Sequence, residues 1–178
     1  MGQTISLSLP EAYLPDLRTA EVSYPVALSA IEEYTRLVDI EGDESLKAYN
    51  ALKYKLEQLV GKDLTNTNFY EWWEEEGIEV LSFRISLPDP TKTKSSIDAP
   101  AIREIVRFLT SCKPEEFSSQ HPFANKFLPF LDDWFHKFLA LNAKSYDRRW
   151  FFRQKDSNGN WFEHSPDALV MLLTGHVT

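Results

Sequence analysis

With 178 residues, 43% of them hydrophobic and 13% aromatic, the chain is long enough to bury a real core and too apolar to be intrinsically disordered. Its net charge of −8 sits at the front: residues 1 to 80 hold 16 Asp and Glu against 6 Lys and Arg, whereas residues 81 to 178 hold 11 against 13. An acidic half disfavours nucleic acid and anionic lipid as its partners and favours a protein with a basic surface, with plain solubility as the simpler alternative.

No run of residues approaches the roughly 18 apolar positions of a membrane span, and no charged-then-apolar leader is visible, so a soluble, unexported, cytoplasmic protein is expected. Cys112 is the one cysteine and cannot form an internal disulfide. It falls on the apolar side of an expected helix, as a buried and inert thiol. A single domain spanning residues 1–178 is expected.

In chain order, Met1-Gly2-Gln3-Thr4-Ile5-Ser6 matches the N-myristoylation pattern at Gly2. These residues are similar to the start of a murine-type retroviral Gag matrix region, a similarity that ends within ten residues. One acyl chain anchors weakly without a second signal, and the neighbouring chain is acidic, so no lipid anchor at Gly2 is expected. Ile5, Leu7 and Leu9 alternate with polar residues as in a strand that Pro10 stops. Ser23 is expected to cap a helix with Leu28, Ile31, Leu37 and Val38 inward. Asp43 then caps a second, with Leu46, Tyr49, Leu52, Leu56 and Leu59 as its stripe and Gly61 as its terminator.

The segment from Phe69 to Glu76 combines Tyr70, Trp72 and Trp73 with Glu74, Glu75 and Glu76 before Gly77. If it is a short helix, three carboxylates crowd the end where the backbone dipole is already negative. Such a local conflict marks either a functional surface or a compensating Arg or Lys in the fold.

Ile78 to Leu87 alternates Leu81, Phe83, Ile85 and Leu87 with Ser82, Arg84 and Ser86, which predicts a strand. Pro88 to Ser96 reads as a mobile loop, and Asp98 with Pro100 opens a helix that buries Ile102, Ile105, Val106 and Leu109. The spacing of Phe127, Leu131, Trp134, Phe138 and Leu141 predicts a long helix from Pro122, kinked at Pro129. On its wet face Asp133, His136, Lys137, Ala140 and Lys144 are expected, with Asp133 paired to Lys137. A β-hairpin turning at Asn158-Gly159 follows, and Ser165-Pro166-Asp167 caps a last helix. A two-residue turn there sets Lys155 opposite Phe162 and Arg153 opposite His164. Arg149, Phe151, Arg153, Phe162 and His164 then share one face.

The expected fold is therefore α+β: five to six helices packed on a small antiparallel sheet of up to four strands, with a C-terminal β-hairpin. No phosphate loop, nucleophile elbow or kinase signature occurs. His121, His136, His164 and His176 lack paired ligand spacing, so no metal and no cofactor are expected. The leading expectation is a non-catalytic protein-binding module of the inhibitor, adaptor or immunity kind. Its binding residues are Tyr70, Trp72, Trp73, Glu74, Glu75 and Glu76. The alternative is a protein that binds single-stranded nucleic acid through Arg148, Arg149, Phe151, Arg153 and Lys155. An enzyme with no recognisable motif is the third class.

Overall fold

The structure is a computed structural model that describes residues 13–72, 76–94, 97–111 and 122–175. Its contacts divide the chain into two compact units, Pro15–Asp89 and Pro90–Thr178 with Met1–Leu14. Among the described residues there are seven α-helices and one two-stranded antiparallel sheet, so the α+β class is mostly helical. That corrects the expected counts of five to six helices and up to four strands. The Ile5–Leu9 strand, Gly2 and Cys112 lie outside the described residues.

The Pro15–Asp89 unit begins with α1 (Leu17–Glu41), entered through Asp16, whose carboxylate accepts the Arg18 and Thr19 N–H groups at 3.0 and 3.2 Å. The helix starts earlier than a Ser23 cap implies, because its buried stripe is built from small residues, Ala20, Ser23, Ala27 and Ala30, before Ile31 and Tyr34. Helix α2 (Lys47–Val60) buries Leu52 and Leu56 and ends at Gly61. Tyr34, Tyr49 and Phe69 form a chain of ring contacts with centroids 6.0 and 5.5 Å apart, and Tyr49 donates its hydroxyl to Thr67 O at 2.7 Å.

Ile78–Ser86 is a helix, α3, and not the expected strand. Leu81, Ser82, Phe83, Ile85 and Ser86 are all buried, so α3 is covered on nearly every side and carries no helical polar stripe to read. Its serines bury cheaply because each hydroxyl donates back one turn, Ser82 to Ile78 O at 2.7 Å and Ser86 to Ser82 O at 2.8 Å. Lys62 donates to Arg84 O and Leu87 O at 2.9 and 2.6 Å, placing a cation at the negative end of α3. Helix α3 lies chiefly against α1, and Ile31, Tyr34, Leu56, Leu64, Phe69 and Ile85 form part of their shared core. Each large apolar side chain fully buried there contributes about 1.5–3 kcal/mol.

In the other unit α4 (Ala99–Ser111) opens on Asp98, whose carboxylate accepts the Ala101 N–H at 2.9 Å. The segment before it is tied down: Asn142 Oδ1 accepts from Thr93 N–H at 2.5 Å and Thr93 Oγ1 at 2.8 Å, and Asn142 Nδ2 donates to Thr91 O at 3.2 Å. The long aromatic helix breaks where proline predicts, into α5 (Pro122–Phe127), a 3₁₀ turn (Leu128–Phe130) and α6 (Asp132–Asn142). Helix α6 buries Trp134, Phe135, Phe138 and Leu139, with Phe135 edge-on to Phe108 of α4 at 4.9 Å. A second 3₁₀ turn (Arg148–Phe151), the strands β1 (Gln154–Lys155) and β2 (Trp161–Phe162), and α7 (Pro166–Thr174) complete the chain, with α7 packed on α4.

Candidate functional site

The acidic aromatic segment is positioned by Asn68, whose side-chain oxygen accepts the Tyr70 and Glu71 N–H groups at 3.0 and 3.1 Å. Phe69 is fully buried and anchors the segment, while Tyr70 is 48% exposed. Trp72 is half-buried and donates its indole N–H to Thr35 Oγ1 of α1 at 3.1 Å. Trp73, Glu74 and Glu75 lie outside the described residues. Glu76 meets a compensating cation, the half-buried Arg84 at 2.6 Å. Of the expected binding residues, Tyr70 is thus on the surface, whereas Trp72 and Glu76 are engaged within the unit.

Tyr70 stands beside the C-terminal half of α1. Together with Tyr34, Thr35, Val38, Asp39 and Phe69 it lines a cleft of about 30 Å³, room for about one water and far below a metabolite site. The last turn of α1 carries Asp39 and Glu41, both exposed, and no basic side chain, although its carbonyl end is already negative. Ile40 between them is 82% exposed. Past Gly42 the Asp43 carboxylate turns inward and accepts the Ala48 and Tyr49 N–H groups at 3.2 and 2.8 Å. Leu46 at the head of α2 is held at φ 54°, a left-handed conformation costing about 1–2 kcal/mol, and is 55% exposed. Burial pushes the Tyr34 hydroxyl pKa up, and the Asp43 carboxylate adds to it. Asp39, Ile40 and Glu41 were not among the expected binding residues, and Leu46, expected in the apolar stripe of α2, stands exposed ahead of it. The available signal was an isoleucine between two acids in the final turn of a helix.

The basic hairpin differs from its expected form. Arg148–Phe151 is a 3₁₀ turn, not strand. Arg148 pairs with Asp133 at 2.6 Å, which replaces the expected Asp133–Lys137 pair, and Arg149 grips Asp147 through two nitrogens at 3.0 and 2.5 Å. Phe151 packs edge-on against His136, centroids 4.8 Å apart. The strands pair Gln154 with Phe162 and Lys155 with Trp161, one residue out from the expected register. The cause is a three-residue loop. Gly159 donates to Asp156 O at 3.0 Å and takes φ 82°, while Asp156 donates to Asn160 O at 2.9 Å. The Asp156 carboxylate accepts the Asn158 and Asn160 N–H groups, both at 2.8 Å, and these bonds, Asn160 foremost, hold its pKa below the usual carboxylate range. In this register Arg153 and Lys155 both lie over Trp161, 5.2 and 4.9 Å from its ring, and Trp161 is 56% exposed.

His136 is buried, not on a wet face, with Nδ1 3.0 Å from the Tyr146 hydroxyl. Burial depresses its pKa, Arg148 adds to the effect, and Asp133 and Asp132 oppose it. Among the described residues no three His, Cys, Asp or Glu side chains gather as they would around a metal ion, and no helix is long and apolar enough to cross a membrane. His121 and His176 lie outside those residues. No protein-family model, curated protein or solved structure matches the chain.

Proposed function

We propose that the protein is a non-catalytic protein-binding module of the inhibitor, adaptor or immunity kind, whose acidic aromatic corner takes a partner with a basic surface. One observation carries this reading: charge follows structure. Residues 15–89 hold 16 acidic side chains against 7 basic ones, and residues 90–178 hold 10 against 12. On the acidic unit, exposed Asp39, Glu41 and Glu71 accompany the exposed apolar Ile40, Leu46 and Tyr70. Carboxylates of this kind steer a cationic partner and fix its orientation, and the apolar side chains supply the area that desolvates on binding.

A second reading places single-stranded nucleic acid at the hairpin, favoured by the exposed Trp161 with Arg153 and Lys155 over its ring.

Titration calorimetry with a short Lys/Arg-rich amphipathic peptide tests the first reading. Binding is expected at about 0.05 M salt, to weaken at about 0.5 M, and to fall about tenfold in the combined Asp39→Asn, Glu41→Gln, Glu71→Gln variant. An affinity unchanged by the three substitutions contradicts it.

A further inference from the structure

We propose that the C-terminal hairpin of one copy is a ligand for the acidic corner of a second copy, so that the chain self-associates head to tail. This rests on the protein-binding reading and names its partner. The hairpin has the composition that the acidic corner calls for. Its strands are two residues long, and opposite faces carry exposed rings: Trp161 at 56% on one, Phe162 at 38% on the other, with Phe152 at 54% just ahead of β1. A hairpin this short with apolar rings on both faces is not a stable unit by itself and gains from being covered. Arg153 and Lys155 are laid over the Trp161 ring at 5.2 and 4.9 Å, so their stems are ordered before a ligand arrives and less side-chain entropy is lost on binding.

The acidic unit offers the converse set: Asp39 and Tyr70 line one cleft, Ile40 and Glu41 follow Asp39 in the exposed last turn of α1, and Leu46 and Glu71 are exposed a few residues along the chain from them. Cation meets carboxylate and ring meets aliphatic side chain, and the two surfaces belong to stretches of opposite net charge. A polyanionic strand fits the hairpin less well. Two of its four cations, Arg148 and Arg149, are already held by Asp133 and Asp147, and the whole chain carries −8. Because hairpin and corner are different surfaces, the contact is heterologous. Blocking either surface on one copy leaves the other surface competent.

Sedimentation velocity of the full chain tests this. At about 0.05 M salt the wild type is expected to sediment faster as its concentration rises, and at about 0.5 M salt to remain a monomer. The hairpin variant Arg153→Gln, Lys155→Gln and the corner variant Asp39→Asn, Glu41→Gln, Glu71→Gln are each expected to stay monomeric alone. Mixed in equal amounts they should form a one-to-one dimer that grows no further, since each supplies the surface that the other lacks. Trp161→Ser is a second hairpin variant, checked for folding by circular dichroism, and should also pair with the corner variant. A wild type that stays monomeric at every concentration, or a mixture that stays monomeric, overturns the proposal. So does a hairpin that binds single-stranded oligothymidine more tightly than it binds the second copy. If the mixture stays monomeric while the hairpin variant still takes the basic peptide at its acidic corner, self-association falls and the protein-binding reading stands. If neither interaction occurs, both fall.

Discussion

The indole nitrogen of Trp72 donates a 3.1 Å hydrogen bond to the hydroxyl of Thr35, and that hydroxyl in turn donates to Ile31 O at 3.0 Å within α1. The pair fixes the acidic aromatic segment to the helix whose end carries Asp39 and Glu41. Trp72→Phe removes the bond and keeps most of the ring. It is expected to lower stability by about 1 kcal/mol in urea unfolding, against about 3 kcal/mol for Trp72→Ala. Equal losses from the two substitutions would show that the hydrogen bond, and not the packing of the ring, dominates.

Leu46 tests whether strain is stored at the corner. Glycine adopts φ 54° without penalty, but it also loosens the unfolded chain, so the two effects partly cancel. Leu46→Gly is expected to raise stability by about 0.5 kcal/mol while weakening binding of the basic peptide. A loss of 1 kcal/mol or more, roughly the cost of removing a packed side chain, would show that Leu46 serves the fold and not the surface.

Asn142 holds the segment ahead of α4. Its side chain accepts two bonds from Thr93 and donates to Thr91 O and to Phe138 O, the last at 2.9 Å. Asn142→Ala removes these four bonds and is expected to cost about 2–3 kcal/mol. The Thr93 amide should lose its protection in hydrogen exchange. A Thr93 amide that stays protected in the variant would show that something else holds the segment.

The buried His136 gives the protein a pH dependence of known sign. Its pKa is depressed in the fold, so below the unfolded value of about 6.5 the unfolded chain binds the proton more readily. The stability contributed by neutral His136 is therefore complete above that pH and is lost progressively as pH falls towards the folded value. Thermal unfolding between about pH 7.5 and pH 5.5 should show a falling midpoint in the wild type and a flatter profile in His136→Gln. Parallel profiles would assign the dependence to other groups.

The legible parts of the fold were those with a conventional stripe or a strong punctuator. Helix α4 shows Ile102, Ile105 and Val106 at helical spacing, Pro129 breaks the aromatic helix, and Ser165 caps α7. Helix α3 was illegible because burial on all sides erases the polar face that distinguishes a helix from alternating strand residues. The hairpin was visible, but its register was not. Asn-Gly suits a two-residue turn as well as a three-residue loop, and the carboxylate of Asp156 selects the latter. At the candidate site, the crowding of Glu74 to Glu76 pointed to a compensating Arg or Lys as well as to a surface, and Glu76 meets Arg84. The exposed side chains of the α1 terminus became visible only once Phe69 and Tyr70 were placed against it.

The most direct test of the acidic corner is the map of backbone amide shifts in the ¹⁵N-labelled protein titrated with the Lys/Arg-rich peptide. In the hairpin variant Arg153→Gln, Lys155→Gln, whose own hairpin no longer competes for the corner, saturable shifts are expected at Val38–Leu46 and Tyr70–Trp72, and none when the three corner substitutions Asp39→Asn, Glu41→Gln, Glu71→Gln are added. Shifts spread evenly over every acidic residue, or centred elsewhere with these two segments unmoved, would contradict it.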